Sequence, residues 1–96
     1  MSATEAREQT GVDYVAAVLE MIRSIREEHA ACTLSELARL LRQPKGTMHR
    51  QLVRMREYGL VTWDDLPGSL HNTAKGGKVI GLVRAGKITD MTYFAE

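Results

Sequence analysis

Between residues 42 and 54 the chain gathers side chains suited to gripping an anion: Arg42, Gln43, Lys45, Thr47, His49, Arg50 and Arg54, with Gly46 among them. A guanidinium such as that of Arg50 is a planar fork of donors, matched to a phosphate or to O6 and N7 of guanine. Arg42, Lys45 and Arg54 suit phosphate clamps, which position a protein but specify nothing. Thr47 suits a thymine methyl or a phosphate, and His49, on the flank, suits either kind of contact. Gly46 lets the backbone come close, and the free amides of a helix's first turn favour phosphate. The chemistry on offer is recognition of a polyanion. No nucleophile motif, phosphate loop or paired-carboxylate arrangement occurs, so no enzyme activity and no cofactor are expected. His29 and Cys32 stand at His-x-x-Cys spacing, but no second pair follows, and His49 and His71 fall on separate elements. A structural zinc site wants four ligands, so no metal is expected.

Charge supports the same segment. Residues 1–36 carry three basic and seven acidic side chains, whereas residues 37–62 carry six basic (Arg39, Arg42, Lys45, Arg50, Arg54, Arg56) and one acidic, Glu57. A basic block inside a chain of net charge +1 points to one surface that meets a polyanion. On charge alone, a solvated helix face accounts for the block equally well, and Arg56 in particular reads as solvated.

These side chains need elements to hold them. Residues 1–9 lack apolar periodicity and read as a flexible arm; residues 10–96 read as one domain. Thr10 and Asp13 have capping-box spacing, and Val15, Val18, Leu19, Ile22 and Ile25 recur at helical intervals to about His29. Thr33-Leu34-Ser35-Glu36 is a stronger capping box, followed by the stripe Leu34, Leu37, Ala38 and Leu41. Pro44 ends that helix. A third helix is expected from Lys45 to Tyr58, stopped by Gly59, with Met48, Leu52 and Met55 inward. At about 100° per residue its opposite face collects Gly46, Thr47, Arg50, Val53 and Arg54. Two short helices joined by a tight turn, the second with a basic outer face, make a helix-turn-helix pattern.

Leu60 to Trp63 reads as a strand, Asp64-Asp65-Leu66-Pro67-Gly68 as a turn, and Ser69 to Asn72 as the returning strand, together a wing. From Thr73 two readings compete. Residues 74–86 make a helix weakened by Gly76, Gly77 and Gly81, or Val79–Val83 and Ile88–Phe94 pair as a hairpin. The expected fold class is mainly α with a small β-hairpin: a three-helix core, a two-stranded wing and, on the first reading, a C-terminal helix. Trp63 and Tyr58 read as core or hairpin packing rather than base-stacking platforms.

Length and composition set the frame. The chain has 96 residues, 44% hydrophobic and 26% charged, enough for one modest core and too apolar for a disordered segment. No apolar run reaches the roughly 20 residues that cross a bilayer, so no membrane partner is expected. The polar start carries no secretory signal, and Cys32, the lone cysteine, allows no intramolecular disulfide; both suit a cytoplasmic setting.

The stretches Thr33–Leu41, Pro44–Arg50 and Met55–Val61 together resemble the DNA-binding core of the IclR and MarR families of regulators, and Asn72–Gly76 resembles the segment that follows a MarR wing. The resemblance implies a winged helix-turn-helix, binding of double-stranded DNA by the third helix in the major groove, and a homodimer. In MarR wings an arginine commonly sits near the tip, where this chain has Asp64 and Asp65. Two aspartates near phosphate would repel, so the wing is expected to stay off the DNA or to meet a protein partner. The first helix and the tail, whose Ile88, Met91, Tyr93 and Phe94 have little chain left to cover them, are the candidate surfaces for a partner subunit. A sequence-specific transcription regulator is the leading expectation. A winged-helix interaction module and a nonspecific architectural DNA binder are the alternatives.

Overall fold

The computed structural model describes residues 11–64 and 68–94. The expected arm and the turn residues Asp65, Leu66 and Pro67 lie outside them. Helix α1, Val12–His29, buries Val15, Val18, Leu19, Ile22 and Ile25 along one face. Its cap is Gly11; Thr10, the other half of the expected Thr10–Asp13 capping box, lies outside the described residues. Asp13 in the first turn still complements the helix dipole.

Helix α2, Leu34–Leu40, begins as expected: the Thr33 hydroxyl accepts the Glu36 amide at 3.1 Å. Helix α3, Lys45–Glu57, follows Pro44 and buries Met48, Leu52 and Met55. Tyr58 caps it, and Gly59 at φ +80° turns the chain away. Two bonds complete that exit, Gly59 N–H to Arg56 O and Leu60 N–H to Met55 O, each at 2.9 Å; the left-handed turn needs glycine.

Strands β1, Val61–Thr62, and β2, His71–Asn72, pair antiparallel with Val61 opposite Asn72 and Thr62 opposite His71. They are shorter than the four-residue strands expected. A parallel bridge between Cys32 and Ser69 ties the hairpin to the entry of α2. Helix α4, Ala74–Arg84, decides between the two readings of the C-terminal third in favour of the helix. The Thr73 hydroxyl accepts the Gly76 amide at 3.0 Å. Gly76 carries the physical reason for a glycine here, since a Cβ would stand 2.1 Å from the Leu60 carbonyl oxygen. The two backbones touch only because that side chain is missing.

The start of α4 clasps the end of α3. Lys75 Nζ donates to Tyr58 O at 2.8 Å, the Thr73 hydroxyl donates to Gly59 O, and Thr73 N–H donates to Leu60 O at 3.0 Å. Orphan carbonyls at a helix end are thereby satisfied, with a cation at the negative pole. Across the core, Asn72 Nδ2 donates to Leu19 O at 2.8 Å, and Arg84 holds Glu20 through two bonds of 2.7 and 2.9 Å.

The tail departs from expectation. Ile88 and Phe94 are buried in their own chain, and a 3₁₀ turn, Met91–Phe94, lays the Phe94 ring on Tyr58 at 5.2 Å between centroids. A partner is therefore not required to cover them. Tyr93 stays 52% exposed. None of the described helices is long and apolar enough to cross a membrane.

The glycines of α4 separate cleanly by substitution. Gly76→Ala forces two backbones apart and costs at least 1–3 kcal/mol. Gly77→Ala, where nothing lies within 4 Å, stabilises by about 0.4–1 kcal/mol. Urea unfolding of the two variants checks the opposite signs. Cys32 supplies a pH test. Burial pushes its thiol up from 9.0 to about 11. Because the folded value is raised, the stabilisation is complete below the unfolded value and is lost as pH climbs from about 9 to about 11. The wild type therefore loses about 2–3 kcal/mol over that window relative to Cys32→Ala, measurable as diverging urea midpoints.

Candidate nucleic-acid interface

The turn between α2 and α3 is built by two backbone bonds: Gln43 N–H to Ala38 O at 2.9 Å and Arg42 N–H to Arg39 O at 3.2 Å. This pattern closes a helix around a left-handed residue. That residue is Arg42, at φ +58°, where glycine is the usual occupant and an L side chain costs about 1–2 kcal/mol. Its side chain is exposed. Gln43 is half-buried and spends its amide on the Leu41 carbonyl at 3.4 Å, so it serves the turn itself.

Pro44 then presets the entry to α3, whose first turn is Lys45, Gly46 and Thr47. Lys45, Gly46 and Arg50 are exposed, and Thr47 is half-buried. The Arg50 guanidinium folds back over this turn. Its Nη2 reaches Thr47 Oγ1 at 3.4 Å, and a Cβ on Gly46 would meet its Nη1 at 3.7 Å. A forked cation, a hydroxyl and an open backbone are thus brought together at the positive end of a helix.

The remaining residues divide between the flanks of α3. His49 faces the hairpin, with its ring 6.5 Å from that of Trp63. Arg54 lies on the opposite flank, where hydrogen bonding to Tyr58 raises its pKa. The Tyr14 hydroxyl donates to Gln51 Oε1 at 2.8 Å, fastening that flank to the start of α1.

One pair escaped the sequence reading. The Arg56 guanidinium carbon stands 4.4 Å from the Trp63 ring centre, so Arg56 is held by a cation–π contact rather than being merely solvated. The signal was present: Arg56 follows His49 by seven residues, which puts both on the helix face that meets the hairpin at Trp63, just past β1. Asp64, next along, is exposed, and its amide is tied to Ser69 Oγ at 2.9 Å.

Three core helices, a tight turn between α2 and α3, a basic outer face on α3 and a hairpin directly after it define a winged helix-turn-helix. The family model of the IclR helix-turn-helix domain matches residues 15–65, and the chain belongs to that family. It is thus a DNA-binding domain of the transcription-regulator kind. The match spans α1 through the hairpin's first strand and stops short of Asn72–Gly76, the MarR-like stretch. No curated protein and no solved structure matches the chain.

Arg42 links the site to stability. Arg42→Gly relieves the left-handed strain and stabilises the fold by about 0.5–1 kcal/mol, while removing a cation from the turn. Thermal unfolding is expected to rise by a few degrees as DNA affinity falls.

Proposed function

We propose that this protein is a sequence-specific transcription regulator that inserts α3 into the major groove of double-stranded DNA, working in the cytoplasm without catalysis or cofactor. The observation that carries the reading is the exposed start of α3, where Arg50 lies over Gly46 and Thr47. Residues at the start of a recognition helix approach base edges most closely. Arg50 reads a base, with guanine as its natural partner. Thr47 supplies a methyl or hydroxyl contact beside it.

Arg42, Lys45 and Arg54 bind phosphates, and His49 together with Arg56 extends that set along the hairpin side. Gln43 supports the turn and contacts the backbone through it. Asp64 repels phosphate, so the DNA contact on the hairpin side falls at the base of the wing, on Arg56, and not at its tip. The wing tip is left for a protein partner.

Size argues for two copies. The domain measures 32 × 30 × 24 Å, comparable to the roughly 34 Å of one turn of B-DNA. One copy covers one half-site, and a homodimer reads two. Sedimentation showing only monomer at micromolar concentration contradicts this part.

Fluorescence anisotropy with fragments of the source genome separates the readings. Tight binding to a subset, weakening steeply with salt, is expected for the regulator. Uniform binding marks an architectural protein, and no binding at low salt an interaction module. Arg50→Ala costs about 1–3 kcal/mol and relaxes base preference, whereas Arg54→Ala weakens all sequences alike and lowers the salt slope by about one. An Arg50→Ala variant that binds the selected fragment like the wild type removes that residue from base reading.

A further inference from the structure

The base of the hairpin fixes an indole beside α3. Val61 is buried in the core, and Trp63, two residues on and just past β1, is half-buried against it. Backbone anchors on either side keep the ring there: Thr62 pairs with His71, and the Asp64 amide is bonded to Ser69 Oγ at 2.9 Å. The exposed Arg56 guanidinium lies over that ring, 4.4 Å from its centre.

Other arginines are held differently. Arg26 donates to Leu70 O at 3.3 Å, Arg39 faces Glu36 at 4.0 Å, and Arg84 grips Glu20 through two bonds. A carboxylate or carbonyl partner takes up charge or donors that a phosphate would have to win back. An aromatic face attracts the cation through its quadrupole and offers no lone pair, so the N–H donors and the net charge stay available. None of the described ion pairs includes Arg56. A long side chain already held in place also loses less conformational freedom when it meets an anion.

We propose that Trp63 is a positioning residue for DNA binding: its ring presets the Arg56 guanidinium as a phosphate clamp at the base of the hairpin. This role rests on the DNA-binding reading given above and adds to it the residue that aims the contact. Residues 64–68 contain two aspartates and no Lys or Arg, so the hairpin contributes the platform and α3 the cation. A phosphate contact carries no base information, and the clamp therefore raises affinity for every duplex alike.

Trp63 is the lone tryptophan, so mono-, di- and trifluorinated tryptophan can be placed there and nowhere else in the full chain. Fluorine drains π density and barely alters ring size, which keeps the packing while weakening the hold on a cation. Affinity for the selected DNA fragment, read by anisotropy, is expected to fall stepwise, by about two- to fivefold with the trifluorinated ring, with sequence preference unchanged. In Arg56→Gln, which itself lowers the salt slope by about one, fluorination is expected to change nothing. That control separates Arg56 from His49, whose ring lies 6.5 Å from the same indole. Equal affinity across the series, or an equal fall in Arg56→Gln, overturns the role of Trp63 and leaves the DNA-binding reading standing. NMR of the DNA-free protein supplies the second arm. The Arg56 δ-methylene protons are expected to show an upfield ring-current shift in the wild type that Trp63→Leu abolishes, and its absence from the wild type overturns the positioning. A wild type that keeps this shift but binds no fragment at low salt overturns the DNA-binding reading, and the phosphate role with it.

Discussion

The rotation of α3 about its own axis is set by three side chains. Met48, Leu52 and Met55 are 0%, 0% and 3% exposed, and burying each contributes about 1.5–3 kcal/mol. Turning the helix by one residue, about 100°, would bring that stripe toward water and push charged neighbours toward the core. No other feature of the molecule decides more directly which residues face outward. Gly46, Thr47 and Arg50 are presented because the stripe opposite them is held in.

The rest of the fold can be seen as fastening that helix at both ends. Its start is aimed by Pro44 and by the tight exit from α2, which holds Arg42 in a left-handed conformation. Its end is gripped by Lys75 and Thr73 and pressed by Gly76 against Leu60. The α4 contact is the reason why a helix rich in glycine survives: the loss in propensity is offset by backbone packing that any larger residue would prevent. Strain at Arg42 is of a different kind. It stores a cost in the turn that a glycine would avoid, and the exposed guanidinium is what is gained.

Much of this was legible beforehand. The helical stripes of α1, α2 and α3 have clear periods, and Thr33 with Glu36 announced a cap that forms as written. The helix-turn-helix followed from Pro44 and the basic face. Three things were not legible. The left-handed Arg42 is hidden because Pro44 marks where the helix must end but carries no information about the bend two residues before it. Gly76 looked like a weakness, since local propensity carries no information about a carbonyl from sixteen residues upstream. The tail looked uncovered because Phe94 finds its cover on Tyr58, a contact between segments too far apart for any periodicity to reveal.

Chemical-shift mapping on the ¹⁵N-labelled protein, titrated with a selected DNA duplex, addresses the orientation of α3 most directly. The account predicts the largest changes at the amides of Lys45, Gly46 and Thr47 and at the Arg50 Nε–H, with the indole of Trp63 moving less and the acidic outer face of α1 around Glu27 and Glu28 silent. Changes centred on α1, with the first turn of α3 unperturbed at saturation, would contradict it.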